Sequence, residues 1–213
     1  MKTCSLVLAL ALIDPFILVA QGTFRNMDFE QAQIPQNQAA GFVDATLAFP
    51  FWTVFNDSIP QTQVLWNNVS VGSTQASLLG QSDHALDGGY SAFLFGGSGA
   101  CSISQVGQVP TDAISLLFKV QIFQGQQINV SMGGVSLPVF DISTGPNYAV
   151  YGVNVSQFEG MQEQLQFTAP SGPNYWNIDD ITFSTTAVPE PSAGGLLAFG
   201  GLLLSLRILR RKE

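Results

Sequence analysis

Few side chains in this 213-residue sequence could do covalent chemistry. It holds one histidine, His84, and two cysteines, Cys4 and Cys101. A Cys101–His84 pair would need the imidazole within hydrogen-bond reach of the thiol and a third group to orient it. Neither residue sits in a nucleophile-type motif, so catalysis by this pair is not expected. Glu30, Glu159 and Glu163 are the carboxylates from which an acid and a base for glycoside hydrolysis could be drawn, and glutamate is scarce, which leaves a hydrolase as the weakest reading. A transition-metal centre would want clustered histidine or cysteine, and there is none. Non-covalent chemistry has better material. Pyranose rings stack on aromatic faces while amides and carboxylates satisfy their hydroxyls. Most of the 16 Phe, 4 Tyr and 3 Trp are expected in a core. The ring residues with suitable polar neighbours are Trp66, followed by Asn67 and Asn68, and the pair Tyr175 and Trp176, preceded by Asn174.

Strands must position these groups. From 113 to 123, Ile114, Leu116, Phe118, Val120 and Ile122 alternate with Ser115, Leu117, Lys119, Gln121 and Phe123, which is the period of a half-buried strand. Similar short runs at 47–55, 64–71, 91–95, 101–105, 128–132, 135–140, 148–155, 165–168 and 175–183 are separated by Gly, Pro, Asn and Ser clusters. No window of helical length carries a 3.6-residue period. The expected fold is all-β: one antiparallel β-sandwich over 23–186, a jelly roll rather than an immunoglobulin-like arrangement because the hallmark cysteine pair is absent.

Charge is sparse, at 10% of residues, and is sorted along the chain. Between 23 and 184, nine Asp and three Glu face only Arg25 and Lys119, so no basic patch exists to hold phosphates and nucleic-acid binding is excluded. The remaining cations stand at the ends. Lys2 precedes an apolar stretch closing on small residues at Ala20 and Gly22, which reads as a secretory signal peptide over 1–22 despite Asp14-Pro15 within it. Cys4 would leave with that segment, so no internal disulfide is expected. At the other end, 187–213 contains Val188-Pro189-Glu190-Pro191-Ser192, then an uncharged Gly- and Leu-rich run, then Arg207, Arg210, Arg211 and Lys212. A helix over about 193–209 would be about 25 Å long, a short transmembrane span with its basic flank held on the cytoplasmic side.

A Pro-Glu-Pro motif, a short apolar helix and an Arg-rich end, in that order, resemble the PEP-CTERM sorting tail of Gram-negative bacteria. The resemblance covers 188–213. It implies that an exosortase recognises Pro189, Glu190 and Pro191, that signal peptidase removes the leader, and that the chain passes through the inner membrane to the cell surface or the extracellular, biofilm-type matrix. Three stretches of the ectodomain, Asn26 to Glu30 at the first strand, Ala85 to Phe95 in the middle and Trp176 to Phe183 at the last strand, are similar to the carbohydrate-binding-module type of galactose-binding-like jelly roll. In that family the first and last strands lie side by side and hold a structural calcium ion, which nominates Glu30, Asp87, Asp179 and Asp180 here. Ca²⁺ takes six to eight oxygens, a set that carboxylates and carbonyls supply. In an extended strand Asp179 and Asp180 point to opposite faces, so one of them is expected to be the ligand. The expected function is a non-catalytic, exported module that binds extracellular polysaccharide; the alternative is a structural coat or adhesion module without a sugar site.

Overall fold

The computed structural model describes residues 23–69, 73–125 and 128–189. The leader, the span 193–209, its basic flank, Glu190 and Pro191 lie outside the described residues. Among the described residues no helix is long and apolar enough to cross a membrane.

The alternating runs pair into two sheets. The larger has eight strands in the order β1 (Gly41–Asp44), β4 (Gln63–Trp66), β5 (Gln75–Gly80), β6 (Tyr90–Phe95), β14 (Tyr175–Ser184), β8 (Ser115–Gln124), β12 (Ala149–Asn154) and β11 (Phe140–Thr144). The smaller has six, in the order β10 (Val135–Leu137), β9 (Asn129–Met132), β13 (Gln162–Ala169), β7 (Cys101–Gln108), β2 (Thr53–Asn56) and β3 (Ile59–Pro60). Between them lies one core, built by Leu78, Leu94, Phe118, Trp176 and Ile178 from the larger sheet and Val54, Ile103, Val130, Leu165 and Phe167 from the smaller. Phe167 bridges the layers, edge-on to Phe118 at 5.1 Å and beside Trp52 at 6.4 Å. Burying such rings contributes about 1.5–3 kcal/mol each, which fixes the register.

The pattern reading needs several corrections. Pairing between the named strands is antiparallel except between β4 and β5, where Leu65 lies beside Ser77 and Trp66 beside Leu78 in parallel. Strand β5 escaped the periodicity because it is buried on both faces, Ala76 and Leu78 toward the core and Leu79 away from it. The expected strand 47–55 opens instead in a single helical turn, α1 (Ala45–Ala48), in which Asp44 caps the Thr46 N–H at 2.7 Å, and extended chain begins only at Thr53. The run 135–140 splits into β10 and β11 around Pro138.

Candidate functional site

Two sites are assembled on the outer face of the eight-stranded sheet, both beneath the 81–89 loop. The first gathers acidic side chains. Residues 26–30, expected as the first strand, form a turn with Asn26 at φ +49° and Phe29 at φ +59°. The first strand is instead β1, at the far edge of the sheet from β14. The turn still meets β14, because the Ile181 N–H donates to the Met27 carbonyl at 3.0 Å. Phe29 is buried against Phe49 and Trp52, and this plug fixes Glu30 above the sheet. Glu30 Oε1 accepts the N–H groups of Gly89 at 2.6 Å and Tyr90 at 3.0 Å. Gly88 is required there: its φ is +56°, and a Cβ would strike the Glu30 carboxylate.

Asp179 Oδ2 accepts from the Asp87 N–H at 3.0 Å and Oδ1 from the Asp180 N–H at 2.7 Å. The opposite-face expectation for Asp179 and Asp180 fails, since β14 bulges between Asp179 and Thr182 and Asp180 takes φ +47°. Both therefore line, with Asp28, Glu30, Asp87 and Gly88, a cavity of about 130 Å³. Lys119 closes the cluster, its ammonium bonded to Asp87 and 3.0 Å from Asp180. Burial opposes the lysine's charge, but the two carboxylates outweigh it and hold its pKa above the ordinary value. The hydrogen bond from Lys119, with the Gly88 N–H, lowers Asp87. Asp179, nearly inaccessible, is pushed up to about 7 by burial against the opposing backbone N–H bonds, with a further push from Asp180 and Glu30.

All four nominated carboxylates thus converge. Among the described residues, no group of three or more His, Cys, Asp or Glu is placed so that it could hold a metal ion. The donor chemistry nevertheless suits a hard cation: every donor is oxygen, glycine backbone cradles Glu30, and a cation, the Lys119 ammonium, already stands among the carboxylates.

The second site is aromatic. Of the three rings nominated for sugar stacking, Trp176 is a correction: it is 0% exposed between the sheets and offers no face to a ligand. Trp66 is half-buried on the core side, its indole N–H donating to the Gln38 carbonyl at 3.1 Å and its ring over Gly80 and beside Tyr90. Tyr175, one residue from Trp176 and so on the opposite face, belongs to a separate outer cluster with Leu79, Phe93 and Phe95. It lines a recess of about 250 Å³ walled by Val69, Leu79, Phe93 and Phe123, with Asp83 and His84 at the polar side. A second recess of about 250 Å³, lined by His84, Ala85, Leu86, Gln121 and Asn147, adjoins it at His84. Beneath the seam the register places Phe93, Asn177 and Gln121 in one row across β6, β14 and β8. Asn177 Nδ2 donates to the His84 carbonyl at 2.9 Å, which ties the loop to the sheet, while its buried Oδ1 has no partner among the described residues.

Sequence reasoning missed Phe93, Phe123, Gln121, Asn147 and Lys119 as site residues. A signal existed: Phe93, Phe95 and Phe123 stand where an antiparallel strand with one wet face would be polar. The Cys–His pair is not assembled. Cys101 is buried on the inner face of the smaller sheet, its thiol pushed up to about 12 by burial, whereas His84 lies outside the larger one. Glu163 belongs to β13 in the smaller sheet and Glu30 is bound at the start of β6 in the larger, so these two are no acid–base pair either.

No family model and no curated protein matches this chain. Among solved structures it is similar to one described as TmCBM61 in complex with beta-1,4-galactotriose, at 15% identity and a TM-score of 0.40, covering 78% of this chain and 99% of that one. A likeness at that level bears on neither ligand nor residue role.

Proposed function

We propose that this chain is an exported surface or matrix protein whose β-sandwich binds extracellular polysaccharide without catalysis. The observation that carries the reading is the pair of adjoining recesses, one ringed by Tyr175, Phe93 and Phe123, the other by the Gln121 and Asn147 amides. A sugar needs both: an apolar wall for its C–H face and amides for its hydroxyls. The 188–213 pattern supports sorting by an exosortase after the leader is removed. Val188, next to the motif, is buried close to Gly152, where Leu117 and Ile142 also converge.

Structural calcium belongs to the same proposal. Glu30, Asp87, Asp179 and Asp180 would hold the ion, and it would offset carboxylate charge where the 26–30 turn, the 81–89 loop and β14 meet. A glycan array probed with the purified chain tests the binding reading. Binding that is lost in Tyr175→Ala supports it; silence on every glycan sinks it.

One observation favours the coat or adhesion alternative. The outer face of the six-stranded sheet carries Thr53, Ser104, Gln166 and Ser131 in one row and Phe55, Ser102, Thr168 and Asn129 in the next, with no charged side chain among them. A neutral face of this kind suits contact with another neutral surface.

A further inference from the structure

We infer, on the reading that the sandwich binds polysaccharide, that its site selects a neutral sugar bearing a small apolar substituent, an acyl or methyl group. The two recesses are alike in size, about 250 Å³ each, but opposite in lining. Apart from Asp83 and His84 at one side, the first presents only Val69, Leu79, Phe93, Phe123 and Tyr175. An unsubstituted hexose carries a hydroxyl on almost every carbon, and a hydroxyl pressed against the exposed Val69 and Phe123 side chains would lose water and gain no partner. An acetyl or a 6-deoxy methyl group fills such a space without that loss.

The second recess, meeting the first at His84, offers the amides of Gln121 and Asn147 to the hydroxyls of the same ring. The floor is graded in the same sense, since one cross-strand row runs from Phe93 through Asn177 to Gln121. A ligand straddling His84 therefore puts its substituent beside Phe123 and Tyr175 and its hydroxyls toward Gln121 and Asn147. Charge narrows the class further. Asp83 lies in the wall, and Lys119, the cation on β8, is committed to Asp87 and Asp180, so among the described residues neither recess is lined by a lysine or arginine to pair with a uronate.

The test is affinity for matched pairs, measured by calorimetry on the purified chain: acetylated against deacetylated xylan, N-acetylglucosamine against glucose oligomers, and D-rhamnose- against D-mannose-terminated glycans. One buried methyl is expected to tighten binding about fourfold, with an acetyl at or above that figure. The pair that responds tells an acyl from a deoxy substituent. Phe123 is 52% exposed, so Phe123→Ser leaves the core intact and should bring the two members of the responding pair together. Asn147→Ala should weaken both members equally and leave their ratio unchanged. Glycan binding with equal affinity within all three pairs overturns this inference and leaves the polysaccharide reading standing. Absence of binding to any glycan overturns both.

Discussion

The two outer faces of the sandwich are opposites. On the eight-stranded sheet, loops cover the strands and enclose recesses, and the outward residues run from Phe95 and Tyr175 through Asn177 and Gln121 to Asp179 and Lys119. On the six-stranded sheet most outward residues are amides and hydroxyls, with Phe55 and Val106 among them, and some bond to one another, such as Gln164 to Ser104 at 3.0 Å and Gln166 to Thr168 at 3.0 Å. Both sheets bury their inner faces by the same apolar alternation. Specific chemistry has accumulated where a loop lies over a sheet, because a covered outer face holds polar and charged groups partly out of water, where their geometry can be fixed.

The strongest challenge to this contrast uses two neighbours on β14 that point in opposite directions. Trp176→Ala should leave a cavity between the sheets and cost about 3–5 kcal/mol, lowering the melting temperature by about 10 °C. Calorimetric unfolding measures this, and a shift of a degree or two would show that the ring is not part of the core.

Next in size is the acidic cluster. Asp179 has a folded pKa of about 7, above the unfolded carboxylate value, so its ionisation is disfavoured by folding. The penalty is absent near pH 4 and complete above about pH 7, amounting to about 2–4 kcal/mol. In chelator, the melting temperature should therefore fall between pH 5 and 7.5, and Asp179→Asn should flatten that fall. Asp87, whose pKa is lowered, loses its stabilising contribution only at more acid pH, outside this window. At pH 7.5 a site with a Kd of about 10 µM would gain about 2.7 kcal/mol in 1 mM calcium, and Glu30→Gln should abolish most of the gain. A wild-type melting curve indifferent to calcium would leave Lys119 as the only counter-ion.

Tyr175→Ala should weaken glycan binding by about thirtyfold while moving the melting temperature far less than Trp176→Ala, which separates the outer face from the core on adjacent residues. The smallest effect belongs to the flat face. Gln166→Ala should change stability by no more than about 0.5 kcal/mol and leave glycan affinity untouched. If it weakened glycan binding as Tyr175→Ala does, the ligand would sit on the six-stranded sheet and the comparison would invert.

Legibility in the sequence followed the same division. Strands with one wet face, such as β8 and β13, were readable from alternation, and β5, apolar on both sides, was not. The four carboxylates were nominated by likeness of short stretches, not by spacing, since Glu30 and Asp179 are far apart along the chain and no local rule joins them. The supposed first strand at 26–30 proved to be a turn, yet it delivered Glu30 to the expected neighbours through the Met27 carbonyl and the Phe29 plug.

Composition and local pattern were enough for an all-β fold and for the expectations of a leader, a sorting tail and no basic patch, because each depends on residue type within a short window. Which side of β14 a ring faces, that a bulge turns Asp180 into the same cavity as Asp179, that Lys119 stands among the acids, and that Phe123 and Asn147 meet across His84 were decided by strand order and register. Those depend on which distant strands pair, and pairing is selected by the burial of the whole core rather than by any segment of it.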